Sequence, residues 1–191
     1  MIKKSIKNTL QLLKKSQKPY TEEELIKRAQ NGDDDSFEEL INKNEKYLYK
    51  MAYLYVKNEH DAMDIFQETI LSAFINIEKL QNPNYFKTWI TKILINKVHT
   101  KNRYDNKFNN GGVEDYIGEV AYSNIESKLD IRDAIDSLEN KYKTPIILQY
   151  FYDLTIPQIA DIMESNENTI KTNIRRGKKR MYDILKEDYN G

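Results

Sequence analysis

Residues 154–181, LTIPQIADIMESNENTIKTNIRRGKKRM, constrain the possible fold more than any other stretch of the chain. Thr155 is followed three residues later by Gln158, which is the spacing of a capping box, and Pro157 is tolerated in a first helical turn. Asn166 is a favourable N-cap for a second helix. The stretch therefore predicts a short helix, a tight corner and a longer helix. Apolar residues recur at helical spacing in the first (Ile159, Ala160, Ile162, Met163) and in the second (Ile170, Ile174, Met181, Ile184, Leu185).

The remaining face of the longer helix is strongly basic. Residues 166–181 contain six Lys or Arg and one acid, and we expect no intrahelical Glu–Lys pairing to account for the cations. A short helix, a corner and a longer basic helix form the layout of a helix-turn-helix, whose second helix enters the DNA major groove. The alternative is an amphipathic hairpin with a solvated basic face. The face consists of Lys171, Thr172, Arg175, Arg176, Lys178, Lys179 and Arg180.

Charge is balanced over the whole chain but is arranged in blocks. The 191 residues carry 30 basic and 30 acidic side chains. Residues 1–18 contain six Lys and no acid, residues 59–78 contain five acids and no Lys or Arg, and residues 87–107 contain six bases and one acid. Residues 114–140 are acidic, and residues 166–181 are basic again. Two basic blocks separated by an acidic one indicate two nucleic-acid contacts on one chain.

Composition excludes several classes of protein. The chain has no cysteine, which excludes disulfides and thiolate metal sites and fits a reducing cytoplasm. No apolar run approaches the ~20 residues that span a bilayer, and the basic N-terminus lacks the apolar core of a signal peptide. Six Gly, four Pro and little strict alternation predict an all-α protein. We assign no role to the basic extension at residues 1–20.

The first half of the chain predicts four helices. Thr21 and Glu24 form a second capping box before a helix that ends near Asn31. Helices follow over residues 36–57, 59–80 and 86–103, with a loop at residues 81–85. We expect the second helix to bury Phe37, Leu40, Ile41, Tyr47, Leu48, Met51, Ala52 and Tyr55. The third is expected to bury Ala62, Ile65, Phe66, Thr69, Ile70, Ala73, Phe74 and Ile77, with Asp61, Asp64, Gln67 and Glu68 on its other side.

Aromatic residues lie beside cations in the loop and the fourth helix. Single-strand binders stack bases on aromatic rings while Lys and Arg follow the backbone. Phe86 and Trp89 can equally be core residues, and we favour the core for Trp89.

The second half predicts a linker and a second helical module. Residues 105–124 contain Gly111 and Gly112 and no hydrophobic period. Residues 125–152 are expected to be helical, with a break near Asn140 and a new short helix that begins at Thr144 and Pro145. The expected architecture is two small helical domains, residues 21–104 and 125–187, joined by a flexible linker.

Three blocks in this order resemble the extracytoplasmic-function (ECF) class of bacterial sigma-70 RNA polymerase sigma factors. DAMDIFQETILSAF is similar to the family's second conserved region, and YFKTWITKILINKVHTKNR is similar to its promoter-melting and −10-reading helix. LENKYKTPIILQYFYDLTIPQIADIMESNENTIKTNIRRGKKRM is similar to its fourth region, which reads the −35 element. The resemblance covers residues 22–186 and implies a dissociable polymerase subunit that directs promoter-specific initiation, with residues 21–104 as region 2 and residues 125–187 as region 4.

The resemblance also implies residue roles. The acidic face on residues 59–78, which we expect to have no local cation partner, would bind core polymerase through Asp61, Asp64, Gln67 and Glu68. The −10 contacts would be Leu80 and Tyr85, in a loop that holds a flipped base, and Lys92, Asn96, Lys97, Thr100, Lys101 and Arg103. The −35 contacts would be Asn168, Thr169, Lys171, Thr172, Arg175, Arg176, Lys178 and Lys179.

The chain departs from the family pattern at the corner and inside the recognition helix. The usual corner glycine is Glu164, the usual apolar residue after it is Ser165, and Asn168 occupies a small-residue position. Gly177 replaces a common alanine at a cost of about 1 kcal/mol in helix propensity. These differences leave the corner geometry and the −35 sequence open.

The implied partners are core RNA polymerase, promoter DNA and a cognate anti-sigma factor, often membrane-anchored, with no cofactor and no small-molecule substrate. A relaxed linker of about twenty residues spans roughly 25 Å. The two promoter elements lie about 17 base pairs apart, or about 60 Å. We therefore expect the free protein to bind promoters weakly, and we expect polymerase to hold the two modules apart so that both elements are bound. The expected location of the protein is the cytoplasm.

Two other functions remain open. A stand-alone helix-turn-helix regulator would bind palindromic sites without polymerase. An enzyme is the second, because His60, Asp61 and Asp64 resemble a metal-ligand cluster. With only two histidines, His60 and His99, and no cysteine, the sequence shows no nucleophile–base set and no closed metal site.

Overall fold

The computed structural model describes the backbone of residues 20–108 and 126–189 and the side chains of residues 20–101 and 131–186. The N-terminal extension and most of the predicted linker lie outside the described residues. Within the described part of the chain, all regular structure is helical. The α-helices are α1 (Glu22–Gln30), α2 (Asp34–Val56), α3 (Glu59–Asn76), α4 (Phe86–Phe108), α5 (Glu126–Asp136), α6 (Asn140–Tyr150), α7 (Ile156–Ile162) and α8 (Glu167–Tyr189). Short 3₁₀ turns occupy Ile77–Lys79 and Pro83–Tyr85.

The starts of the first three helices are set by local side-chain caps. The predicted capping box is confirmed, since Glu24 N donates to Thr21 Oγ1 at 3.2 Å and Thr21 N donates to Glu24 Oε2 at 2.8 Å. Asp33 accepts from Ser36 N at 3.1 Å and Asn58 accepts from Asp61 N at 3.0 Å. Each cap satisfies a backbone donor that has no partner inside its helix. The cap at Asp33 starts α2 two residues earlier than the pattern predicted.

The first module, α1 to α4, buries the apolar faces that the periodicity predicted, with three differences. Leu40, Leu48 and Met51 are fully buried. The expectation that Phe74 points inward is wrong: it is 47% exposed and meets Phe37 edge-on, with ring centroids 5.1 Å apart. Tyr47 and Ile70 are only partly buried. Helical periodicity identifies the apolar face of a helix, but how deeply each residue is buried depends on the neighbouring helices.

The segment between α3 and α4 is more ordered than the predicted loop. Leu80 is 6% exposed, and Gln30 Nε2 of α1 donates to the carbonyls of Ile77 and Leu80 at 3.1 and 2.6 Å. These bonds fix the segment to the module. The backbone of α4 then continues to Phe108, so the predicted helix end at residue 103 is wrong.

The second module consists of α5 to α8. The predicted new helix start at Thr144 and Pro145 is wrong, because α6 begins at Asn140 and holds Pro145 in its interior. Proline lacks the backbone donor and is usually a helix breaker. Here the continuous burial of residues 142–148 against the rest of the module outweighs that local preference.

Gly177 marks the close approach of α8 to α6. The glycine is buried, and a Cβ atom there would lie 2.6 Å from Ile146 Cδ1 and 3.2 Å from Tyr142 Cβ. The departure from the family's alanine therefore has a packing reason, which offsets the loss of helix propensity.

The two modules contact each other directly. The α4 helix packs against α7, and a single cluster of buried apolar residues includes residues of both modules. The rings of Tyr47 on α2 and Tyr152, which follows α6, meet edge to face with centroids 5.0 Å apart and planes at 90°. Lys57, at the end of α2, pairs with Asp136 at the end of α5.

Candidate nucleic-acid interface

The α8 helix presents the predicted −35 residues on one outward face. Asn166 caps the helix, accepting from Thr169 N at 2.8 Å, as predicted. Ile170 and Ile174 point into the core, which turns the opposite side of the helix outward. Exposed on that side are Asn168, Thr169, Lys171, Arg175, Arg176, Lys178 and Lys179, while Thr172 is half-buried.

Some cations of α8 have partners in the free chain, contrary to the expectation from sequence. Lys171 Nζ lies 3.5 Å from Glu167 Oε2 one turn earlier, and Arg180 Nη1 lies 2.6 Å from Glu139 Oε1. Lys178 Nζ stands 4.6 Å from the ring centre of Tyr150. Exposed pairs of this kind contribute roughly 0–1 kcal/mol, so they orient the side chains at little cost to DNA binding.

The corner of the helix-turn-helix keeps the shape that glycine usually provides. Glu164 has a φ of 49°, in the left-handed region. Its N–H donates to Asp161 O at 3.2 Å, and Ser165 N donates to Ala160 O at 2.9 Å, which closes the end of α7. A residue with a Cβ atom is disfavoured in this region by roughly 1–2 kcal/mol. Glu164 therefore holds a left-handed corner that glycine would adopt without this steric cost.

The acidic face of α3 is on the surface, but it has local cation partners. Gln67 and Glu68 are exposed, and Asp61 and Asp64 are half-buried. Lys101 Nζ of α4 lies 2.7 Å from Asp61 Oδ1, and Lys97 Nζ lies 3.5 Å from Glu68 Oε2. The expectation of an acidic face without local cations is therefore wrong, because these partners lie some 30–40 residues away along the chain.

The predicted −10 residues of α4 share one side of that helix. Asn96 and Thr100 are exposed, and the side chains of Lys97 and Lys101 are 32% and 26% exposed. Thr100 Oγ1 donates to Asn96 O at 2.9 Å. The side chain of Arg103 lies outside the described residues. The structure thus brings an amide, a hydroxyl and cations together beside the acidic face of α3.

The residues that precede α4 divide between surface and core. Tyr85 is 57% exposed at the start of α4, where a base could reach its ring. The side chain of Leu80 is buried, so the structure does not place it where the proposed base contact needs it. Trp89 is half-buried and packs beside the buried Phe86, with ring centroids 6.0 Å apart, which favours the core interpretation.

Two further acidic partners of the −10 helix come from the other module, and sequence reasoning missed them. Lys92 Nζ lies 3.3 Å from Glu164 Oε1 at the corner and 3.7 Å from Asp161 Oδ1 of α7. The lysine side chain is 29% exposed. The departure at the glycine position was the only sequence signal, since the pattern predicts no contact between residues 92 and 164.

The cluster His60, Asp61 and Asp64 brings three ligand-type atoms within 4.8 Å of one another. His60 is 83% exposed and its Nδ1 lies 3.3 Å from Asp64 Oδ2. The carboxylate of Asp61 is held by Lys101. An open site with one ligand already in an ion pair lacks the enclosed geometry of a structural metal centre.

Matches to protein families agree with this arrangement of surfaces. Residues 40–107 match the model of the sigma-70 region 2 family, and residues 128–181 match that of sigma-70, region 4. The first match spans α4 and the acidic face of α3, and the second spans the helix-turn-helix. A stand-alone helix-turn-helix regulator would not account for the region 2 match.

Curated relatives and solved structures show the same similarity over most of the chain. It is 35% identical over 159 residues to RNA polymerase sigma factor SigV of Bacillus subtilis, covering 78% of this chain and 90% of that protein. It is 27% identical over 178 residues to ECF RNA polymerase sigma factor SigW of the same organism, covering 85% and 95%. One solved structure of similar fold is CnrH in complex with the cytosolic domain of CnrY (TM-score 0.68, 17% identity, covering 87% of this chain and 98% of that one). Another is sigma factor RpoE in complex with the anti-sigma factor NepR, from Bartonella quintana (TM-score 0.69, 20% identity, covering 78% and 96%).

The fold and these surfaces define a two-module, all-helical transcription protein. The chain belongs to the ECF class of the sigma-70 family of RNA polymerase sigma factors. It is an alternative sigma factor that directs transcription initiation, and members of this family are regulatory subunits rather than catalysts. Among the described residues, no helix is both long and apolar enough to cross a membrane.

Proposed function

We propose that three surfaces of this chain divide the work of initiation. The acidic face of α3 (Asp61, Asp64, Gln67 and Glu68) docks on a basic surface of core polymerase. The −10 surface of α4 (Lys92, Asn96, Lys97, Thr100 and Lys101, with Tyr85 before it and Arg103 after it) engages the melted strand. The recognition face of α8 (Asn168, Thr169, Lys171, Thr172, Arg175, Arg176, Lys178 and Lys179) reads the −35 element in the major groove.

One observation carries the proposal: the exposed polar face of α8 and the polar face of α4 belong to separate modules, and the acidic face lies beside the second of them. Arg and Lys on α8 supply base-edge and phosphate contacts. The ring of Tyr85 is exposed enough to stack on an unpaired base. Leu80 is excluded from this proposal because it is buried.

The proposal includes partners and place of action. The protein is a dissociable subunit that acts in the cytoplasm, where core polymerase is found. A cognate anti-sigma factor would hold it inactive, and support comes from the solved relatives CnrH and RpoE, which are bound to CnrY and to the anti-sigma factor NepR.

Transcription with purified core polymerase tests the proposal. Core enzyme supplied with this protein should start RNA synthesis at defined positions on genomic DNA, and sequencing of the RNA 5′ ends should show a shared −10 and −35 pattern upstream. Core enzyme alone is the control. Failure of core enzyme to capture the protein, or the absence of defined start sites, would overturn the proposal.

A further inference from the structure

Two acidic residues of the helix-turn-helix module face the −10 surface of α4. Asp161 and Glu164 both reach Lys92, at 3.7 and 3.3 Å. The carboxylates are exposed on their outer sides, with 66% and 73% of each side chain accessible, whereas the lysine is 29% accessible. The lysine is therefore mostly shielded from solvent, and its ammonium group lies beside both carboxylates.

The corner residue is an unfavourable choice for its own module. Glu164 adopts a φ of 49°, where glycine carries no steric penalty. Its backbone role, donation from its N–H to Asp161 O, would be available to glycine as well. What glycine could not supply is the carboxylate that meets Lys92. The cost at the corner is thus linked to a contact with the other module.

The ion pairs lie at the rim of an apolar contact. The α4 helix packs against α7, and the buried apolar cluster is continuous across the seam. The edge-to-face rings of Tyr47 and Tyr152 add a second point of contact. Exposed ion pairs are weak individually, so they bias a closed arrangement that the apolar contact makes possible.

We propose that Asp161 and Glu164 form a charge latch that closes the helix-turn-helix module over part of the −10 surface in the free protein. The carboxylates occupy the lysine that would otherwise meet a DNA phosphate. The recognition face of α8 stays exposed in the same arrangement. In the free chain α8 can therefore still contact duplex DNA, whereas Lys92 is blocked from contacting single-stranded DNA. This inference rests on the proposed role of α4 as the −10 surface.

The latch predicts a change in the distance between modules. The chain has no native cysteine, so spin labels can be placed at Glu45→Cys on α2 and Asp183→Cys on α8. Full-length protein should give a narrow distance distribution. The double variant Asp161→Asn, Glu164→Gly should give a broader one extended to longer distances. Glycine relieves the corner, so this variant should keep its helical content. Identical distributions in both proteins would overturn the latch.

Binding of a fluorescent thymidine 15-mer tests the masking. The double variant should bind this strand about threefold to tenfold more tightly than the native chain, from the loss of two exposed ion pairs to Lys92. Asp133→Asn is the control: it removes an exposed acid of the same module that, among the described residues, forms no ion pair with α4 and none with the recognition face of α8. An equal gain in the control would overturn the masking.

The two readouts separate failure of the latch from failure of the proposed function. A longer distance with no gain in strand binding would overturn the masking, although the modules do separate. If core-dependent initiation were also absent, the assignment of α4 as the −10 surface would fail with it. Normal initiation together with an unchanged distance would overturn only the latch.

Discussion

Lys101 of α4 places its Nζ 2.7 Å from Oδ1 of Asp61 on α3. This pair joins a residue proposed to contact DNA with one proposed to contact polymerase. The neighbouring pair of Lys97 and Glu68, at 3.5 Å, repeats the arrangement four residues away on α4 and seven residues away on α3. A basic surface of polymerase that docks on α3 must therefore compete with the chain's own lysines for these carboxylates.

Neutralising Asp61 should weaken polymerase binding. Asp61→Asn removes a charge from the docking surface while keeping its shape, and we expect a loss of affinity of about threefold to tenfold, as for a rim charge in an interface. Fluorescence anisotropy with labelled sigma and purified core enzyme measures it. Glu38→Gln on α2 makes the same charge change on an exposed site away from this face and should bind like the native protein. Equal losses in both variants would contradict the assignment.

Removing one guanidinium group from α8 should weaken DNA recognition without weakening polymerase binding. Arg176→Ala is expected to weaken initiation that depends on the −35 element and to lower the slope of log affinity against log salt by about 1, because one phosphate or base contact is lost. Core-polymerase affinity should stay unchanged. Gel-shift titrations of holoenzyme at several salt concentrations measure the slope. Lys27→Ala, an exposed α1 residue paired with Glu23, serves as the matched control.

The recognition helix should depend on its cap. Asn166→Ala removes the acceptor of the 2.8 Å bond from Thr169 N and should cost about 1 kcal/mol in the free energy of unfolding. Urea unfolding followed by circular dichroism measures it. Asn168→Ala lies two residues later, past the cap position, and should leave stability within about 0.5 kcal/mol of native. A larger loss in Asn168→Ala than in Asn166→Ala would argue against the cap.

Alkaline pH should weaken the seam between the modules. Burial raises the pKa of Tyr47 to about 12, partly offset by its hydrogen bond with Thr91. Burial also raises the pKa values of Tyr55 and Tyr152. The unfolded chain releases these protons near pH 10 while the folded chain retains them, so stability present below pH 10 should decline as the pH rises toward 12.

Urea unfolding at several pH values between 8 and about 11.5 measures this decline, and absorbance near 295 nm follows tyrosinate formation. The chain has 14 tyrosines, so the comparison with Tyr47→Phe isolates one of them. The variant should lose less stability over the same pH range than the native chain. If the free energy of unfolding fell equally with pH in the two proteins, the folded state would not be raising the pKa of Tyr47.

Most of the helices follow from local chemistry and could be predicted. The capping boxes at Thr21 and Thr155 and the cap at Asn166 are where the sequence places them. Apolar periodicity identified the buried faces because a helix repeats its direction every 3.6 residues. Local preference failed at Pro145, where burial against the rest of the module keeps a proline inside α6.

The residues that form the candidate surfaces could be predicted, but the ion pairs and packing contacts between them could not. Asn96, Thr100 and the cations of α8 lie on the surface as a helical pattern predicts. The buried position of Leu80 was not predicted, because it depends on the packing of the first module, where Gln30 of α1 holds the Leu80 backbone.

The sequence by itself determined the helices, their caps, the outward polar faces and, through its three blocks, the family. Only the tertiary structure decided which charges meet: Asp61 with Lys101, and Lys92 with Glu164. It also decided why residue 177 is glycine, since a Cβ there would meet Ile146. Caps and periodicity act over one or two turns and can be seen along the chain. Contacts between residues about 30 to 70 positions apart depend on how whole helices pack, which no local pattern records.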